Sequence, residues 1–376
     1  MLIFHGMLRS ANFGDVLMAQ ICLSWLREMT DEPVHAMCVT SELRDLLDLP
    51  QASFYDLLQS KATVLSGGGY FQIADNGLPP LKRMIKNAGP LLAAQLIGRP
   101  TAVIGAGVGP VPPGVLGACV RYLFSKAEIS CVRDRVGVET VKRLSPRANV
   151  LQSSDLVFTL NLGNVPPAAN KIANQLVGLQ NGYNRVGILF SNIPDHDERY
   201  GCIFKSIISA ANHFPDTHFF LLEDHAAPGS GQQNCQSMLN EHLGPKRSTI
   251  LPYPGTFELT AILGRMDSVL TDKLHVGLVA AAMGVTPYSI AKHPKNLAAY
   301  ADIGLIKNCI FIDNAQEGQI NDITLRACGA NKPLSVPKEI RQGATNNKEC
   351  LRKFLQNNRL LSKNYLPYRA AYEVGL

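Results

Sequence analysis

The sequence contains no CxxC pair, and its nine cysteines are scattered along 376 residues. That pattern excludes a disulfide scaffold and a cysteine-based zinc module, and leads us to expect reduced thiols in a cytoplasmic protein. No uninterrupted apolar run reaches the ~18–20 residues that a membrane span needs. The most hydrophobic stretch, residues 91–120, is cut by Arg99 and by repeated glycine and proline. Polar chemistry begins a few residues after Met1, too early for the apolar region of a signal peptide. HExxH, GxSxG and Walker A patterns are absent as well, which removes the common metalloprotease, hydrolase and P-loop readings. Charged residues amount to only 18%, and no lysine/arginine stripe with interleaved aromatics is present. The net charge of +6 therefore hints at anionic ligands and not at nucleic acid.

The chain does have apolar material, 46% of its residues, enough for two domains of common size. Short apolar runs at 2–6, 35–39, 63–66, 101–105 and 129–132 read as strands. Helix-like stretches at 13–29, 81–97 and 136–144 separate them. Continuous apolar strands alternating with helices are the pattern of a parallel sheet covered on both faces. Residues 163–170, with paired prolines, read as a linker. The rhythm then restarts, with strands at 186–190, 218–222, 249–251, 268–270, 287–290 and 309–312. The expected organisation is α/β throughout: a domain over 1–165, a second over 166–330, and a tail over 331–376. The tail carries a helix at 348–357 and ends in Tyr365, Tyr368 and Tyr372, and it is expected to pack back on the domains.

Ligand clefts in such folds lie at the carboxyl ends of the strands, and four clusters of the first domain fall there. Asn12-Phe13-Gly14-Asp15 follows the first strand, either as a simple helix cap or as side chains aimed at a ligand. Gly67, Gly68 and Gly69 follow the third strand, where a triplet lets backbone approach a ligand closely. Gly105-Ala106-Gly107-Val108-Gly109-Pro110 is similar to a dinucleotide fingerprint. It follows the fourth strand instead of the first, and Pro110 holds the third glycine's place, so no nicotinamide or flavin is expected. Arg133 ends a buried strand, where a charge needs a partner. Either Asp134 supplies it, or the guanidinium serves a carboxylate or phosphate.

The second domain holds the sharpest signal, Asp272-Lys273-Leu274-His275, at a strand-to-helix junction whose free N–H groups suit an anion. Lys295 follows the next strand. Lys273, His275, Lys295 and Arg133 converging on one pocket would fit a small, highly anionic substrate, although each lysine alone would more often be a solvated surface charge.

Taken in order, Asn-x-Gly-Asp, the glycine triplet, Gly-x-Gly-x-Gly-Pro, Val132-Arg133-Asp134-Arg135, Asp155-Leu156-Val157-Phe158, and Leu274-His275 with a later lysine resemble the polysaccharide pyruvyl transferase family over roughly residues 10–305. The resemblance implies two Rossmann-like domains facing a cleft, a GT-B-like arrangement. It further implies transfer of the enolpyruvyl group of phosphoenolpyruvate (PEP) to a sugar of a capsule, exopolysaccharide or cell-wall polymer, or its polyprenyl-diphosphate-linked precursor, giving a cyclic pyruvate ketal and phosphate. No cofactor and no metal is required. Under it His275 is the general acid/base, Asp15 a base for the acceptor, and Arg133, Lys273, Leu274 and Lys295 hold PEP. Asn12, Gly67, Gly68 and Gly69 face the acceptor from the first domain. The family commonly has arginine where this chain has Lys273, which alters donor geometry. The competing readings are a GT-B glycosyltransferase with a nucleotide-sugar donor, Glu258 holding the ribose, and a catalytically silent binding protein of this fold. The expected location is the cytoplasm, with contact at the cytoplasmic membrane face.

Overall fold

The computed structural model describes the chain except residues 10, 72–79, 179–181, 192–197, 226–230, 331–332 and 366–376. Contacts divide the chain into two compact units, the first comprising residues 1–10, 18–156 and 345–376, the second residues 11–17 and 157–344. The second unit thus starts at Val157, and residues 11–17 and 331–344 belong to it. Tyr368 and Tyr372 of the expected tail lie outside the described residues.

In the first unit the order is β1 (Leu2–His5), α1 (Phe13–Met29), β2 (Val34–Ala36), α2 (Ser41–Leu47), α3 (Phe54–Gln59), β3 (Ala62–Leu65), α4 (Pro80–Leu96), β4 (Thr101–Ala106), α5 (Val115–Lys126), β5 (Ile129–Val132), α6 (Arg135–Leu144) and β6 (Val150–Gln152). All pairings are parallel, in the order β2-β1-β3-β4-β5-β6. β1, β3, β4 and β5 are buried at every position, as expected of strands covered on both faces, whereas the edge strand β6 is largely exposed.

The second unit runs α7 (Pro167–Val177), β7 (Asn184–Leu189), α8 (Glu198–His213), β8 (Thr217–Leu222), α9 (Gly231–Leu243), β9 (Ser248–Leu251), α10 (Thr256–Leu263), β10 (Ser268–Thr271), α11 (Leu274–Ala282), β11 (Thr286–Ala291), α12 (Pro294–Asp302), β12 (Cys309–Phe311) and α13 (Glu317–Cys328). Its parallel sheet has the order β12-β11-β10-β7-β8-β9. That is the doubly wound order in which the chain reverses direction between β7 and β10. The expected linker is half helix: Pro167 is the first residue of α7 after Pro166 at its cap, the place where a missing N–H costs nothing.

α14 (Lys338–Asn357) starts in the second unit and ends in the first. There Leu351, Phe354 and Leu355 are buried, Thr30 Oγ1 donates to Leu360 O at 2.5 Å, and Ser362 N donates to Met29 O at 2.8 Å. No helix among the described residues is long and apolar enough to cross a membrane.

Candidate active site

The chain reversal between β7 and β10 leaves the carboxyl ends of these strands splayed, the position where doubly wound sheets bind ligands. Asp272, Lys273 and His275 follow β10 there, Ser191 follows β7, Asp224 follows β8, and Lys292, His293 and Lys295 follow β11. α11 opens with Lys273 at its cap, whose own side chain makes no capping hydrogen bond. Its small residues allow close packing on neighbouring elements. At Gly277 an added Cβ would lie 2.2 Å from the Tyr300 hydroxyl of α12, so glycine lets α11 approach the fully buried Tyr300.

Two buried carboxylates orient the lysines. Lys273 Nζ lies 3.1 Å from Asp224 Oδ2 and 3.3 Å from Oδ1, and Lys292 Nζ lies 2.9 Å from Asp272 Oδ2. Asp224 also faces His225 Nδ1 at 2.8 Å and accepts from Gln232 Nε2, while its backbone N–H donates to Gln232 Oε1 at 3.0 Å. Burial pushes the Asp224 carboxyl up, but the hydrogen bonds from His225, Gln232 and Lys273 and the lysine's charge outweigh it and hold it below the ordinary value. Asp272 accepts from Ser191 N at 3.0 and 3.1 Å and from Ser191 Oγ, and Lys292 reaches the same Oγ at 3.2 Å. Burial, followed by the charges of Lys295 and Lys292, lowers the pKa of His293. Lys295 stands exposed in the first turn of α12.

The start of α1 belongs to this unit and not to an acceptor-side domain, which corrects the expected placement of Asn12 and Asp15. Asn12 is the cap position, its carbonyl accepting from Val16 N at 3.0 Å, and its amide donates to the buried Asp15 at 3.3 Å. Gly14 lies directly against His275: an added Cβ would sit 2.0 Å from its Nδ1 and 2.4 Å from its Cβ. Asn-x-Gly-Asp is therefore a wall of the histidine's site, with glycine required by the ring. Leu274, the first residue of α11, is buried, so its side chain is packing and its backbone is what the helix start presents.

Arg133 and the glycine triplet belong to the first unit. Arg133 pairs with the buried Asp155, Nη1 to Oδ2 at 2.8 Å, while its Nε is 3.9 Å from Asp134. The partner expected from adjacency is thus the lesser one, because Asp134 caps α6, accepting from Gly137 N at 2.6 Å. The Gly105–Pro110 loop serves this packing. An added Cβ would lie 2.9 Å from Arg133 Nε at Gly107 and 1.8 Å from Leu156 Cδ1 at Gly105, whose φ is +70°. At the triplet, Met18 and Leu156 crowd Gly67, and Met7 and the Tyr70 ring crowd Gly68, so the protein's own side chains take the space the missing Cβ atoms leave.

Sequence reading did not single out Asp224, Lys292, Ser191 or Gln232 as site residues. Lys292 stands three residues before Lys295 at the end of the same strand, and Asp224 is the second of two acids, after Glu223, that follow the apolar strand β8, which was the available signal.

Two parallel sheets, each with helices on its faces, and a charged cluster at the reversal of the second define a protein of GT-B-like fold. Solved structures agree. The chain is similar to the UDP-GlcNAc 2-epimerase of Neisseria meningitidis at 13% identity and TM-score 0.59, with 94% of this chain and 99% of that one covered. The Methanocaldococcus jannaschii UDP-GlcNAc 2-epimerase gives 12% and 0.61, covering 93% and 99%. The spinosyn rhamnosyltransferase SpnG gives 9% and 0.52, covering 95% and 99%. A comparison with curated protein sequences finds no match. The model of the polysaccharide pyruvyl transferase family matches residues 12–294, and the chain belongs to that family.

Proposed function

We propose that the protein transfers the enolpyruvyl group of PEP to a sugar hydroxyl and closes a cyclic ketal with a neighbouring hydroxyl, releasing phosphate. The observation that carries this reading is the grouping of His275 with Lys273, Lys292, Lys295 and the N-terminus of α11 at the reversal of the second sheet. A donor with a carboxylate and a phosphate needs several oriented cations, and lysines fixed by buried carboxylates present their remaining N–H bonds in set directions.

In the proposed reaction His275 donates a proton to C3 of PEP, and positive charge develops at C2. The acceptor oxygen bonds to C2 and its proton passes to a base, His275 or Asp15. The C2–phosphate bond then breaks with its electron pair leaving on phosphate, whose charge the lysines and the α11 amides balance. The second hydroxyl adds to C2, giving the ketal, and its proton leaves through the same base. Lysine at 273 gives a point charge where an arginine gives a fork, so donor orientation here rests on Asp224 holding Nζ. The scheme uses no metal or cofactor. The acceptor is a sugar of a polysaccharide or of its lipid-linked precursor.

A second reading, transfer from a nucleotide sugar, is favoured by the GT-B-fold neighbours solved with UDP-GlcNAc or UDP. Glu258, in the first turn of α10 beside Gly255 at φ +128°, would then hold the ribose. The deciding experiment measures phosphate release from PEP with galactose-, glucose- and N-acetylmannosamine-containing acceptors, for wild type and His275→Ala. Acceptor-dependent release lost in His275→Ala supports the first reading. No release, no calorimetric binding of PEP, and nucleoside diphosphate release from a nucleotide sugar would replace it with the second.

A further inference from the structure

We propose that His225 is the proton donor to the departing phosphate, an assignment that rests on the pyruvyl transfer reading and closes its proton balance. Forming the ketal takes one proton from each of two hydroxyls. One is balanced at C3, which goes from methylene to methyl, and the other has to end on phosphate. PEP carries its phosphate mostly as a monoester dianion near neutral pH. When the C2–O bond breaks and its electron pair stays on the phosphate oxygen, the product is a trianion unless a proton arrives with the break. His275 donates to C3 and recovers the first hydroxyl's proton. A second acid, at the phosphate end of the donor, is what the reaction still requires.

The carboxyl end of β8 supplies one. Asp224 Oδ1 lies 2.8 Å from His225 Nδ1 and 3.3 Å from Lys273 Nζ, so imidazole and ammonium stand side by side on one oxygen. β7 separates β8 from β10 in the sheet, and the Asp224–Lys273 pair spans the end of β7. An oxyanion held by Lys273 therefore lies beside the ring. Asp224 is 1% exposed, and the equally buried Gln232 clamps it, donating from Nε2 and accepting from Asp224 N at 3.0 Å. Although burial pushes the Asp224 carboxyl up, the hydrogen bonds from His225, Gln232 and Lys273 and the lysine's charge hold it below the ordinary value, so it is ionised near neutrality. A carboxylate accepting from Nδ1–H sets Nε2 as the outward nitrogen. Nε2 has no hydrogen-bond partner among the described residues, and the side chain is 30% exposed. After the transfer His225 recovers a proton from water, while the second hydroxyl's proton leaves to water through the base of the first step, and the count closes.

The test is steady-state phosphate release from PEP, with galactose-, glucose- and N-acetylmannosamine-containing acceptors, by the full chain as wild type, His225→Ala and His225→Asn. The asparagine amide keeps a donor for Asp224 where Nδ1 stood but cannot hand a proton to phosphate, so it separates proton delivery from support of Lys273. The expected result is a fall in kcat of about 10²–10⁴-fold in both variants, with KM for PEP within about threefold of wild type in His225→Asn. Added imidazole should restore about tenfold or more to His225→Ala. With a PEP analogue carrying thiophosphate, a less basic leaving group, the loss in His225→Asn should be severalfold smaller. Wild-type kcat in His225→Asn would reduce the imidazole to a support for Asp224 and overturn the proposal, and so would an equal loss with phosphate and thiophosphate. A wild type that releases phosphate with none of the acceptors overturns the pyruvyl transfer reading and this assignment with it, an outcome distinct from turnover that survives His225→Asn.

Discussion

Gly14→Ala sets two opposed effects against each other. In a helix, alanine is favoured over glycine by ~0.5–1 kcal/mol, so propensity alone makes the change stabilising. Against that, the new methyl would lie 2.0 Å from His275 Nδ1, 2.2 Å from Cγ and 2.4 Å from Cβ. The overlap reaches the root of the ring, so rotating its far end does not relieve it. The imidazole must retreat by roughly 1.5 Å to regain ordinary contact distance, and overpacking of this kind costs ~1–3 kcal/mol. The net expectation is a loss of up to ~2 kcal/mol, or a fall of at most about 4–8 °C in a unit of this size. The functional loss should be larger, because a displacement near 1 Å at a reacting group costs on the order of 10²-fold in rate. The decisive measurement is a double-mutant cycle on stability, from urea titrations of wild type, Gly14→Ala, His275→Ala and the double variant. Removing the ring removes the clash, so Gly14→Ala should become neutral or stabilising on the His275→Ala background, with a coupling of at least ~1 kcal/mol. Strict additivity would refute the argument that the ring is what demands glycine.

Arg133→Ala strands the buried Asp155 carboxylate and should cost ~3–5 kcal/mol in urea unfolding without any ligand; unchanged stability with lost PEP turnover would make Arg133 a substrate arm instead. Lys273→Met removes the cation that Asp224 orients and should lower kcat/KM for PEP by about 10²–10³, whereas Lys273→Arg should stay within about tenfold, since the essential element is a charge held at that carboxylate. Burial lowers the pKa of His5, His218 and His293, with the Lys295 and Lys292 charges adding to it at His293. Below about pH 6.5 the unfolded chain therefore binds protons that the folded chain refuses, and stability should fall as pH drops from 7 towards 5, by up to ~1.4 kcal/mol per pH unit at the fully buried His5. Urea midpoints at a series of pH values check the sign, and His5→Gln should flatten the slope.

The sheets were legible because strands buried on both faces are written as unbroken apolar runs. Ile129–Val132 is the observed β5 to the residue, and the runs expected at 218–222 and 249–251 lie one residue inside β8 and β9. β6 escaped because an edge strand of three residues, half-buried at best, needs no apolar pattern. α2 and α3 escaped because seven and six residues are too few to display a helical period. α3 did carry a local signal, the reciprocal Ser53–Asp56 cap, which is readable as S-x-x-D.

The site divides along a different line. Its β10–α11 core, Lys273 to His275, was visible because a cation and an imidazole follow an apolar strand at a helix start, a local pattern. What fixes those residues is not local. Asp224 is 49 residues before Lys273, Ser191 is 81 before Asp272, and Gly14 reaches His275 from the start of the chain. Sequence order places Asn12 and Asp15 with the first strand, and a helix of 17 residues carries its opening turn into another unit's contacts. Adjacency likewise suggested Asp134 as the partner of Arg133, but a carboxylate capping its own helix is already committed, and the charge goes to Asp155, 22 residues on. In both units the chemistry-bearing side chain sits at a strand end that composition reveals, while its orientation comes from a carboxylate or a glycine that only the folded topology supplies. Substituting those positioning residues should therefore separate charge from geometry at this site more cleanly than removing His275 or Arg133 does.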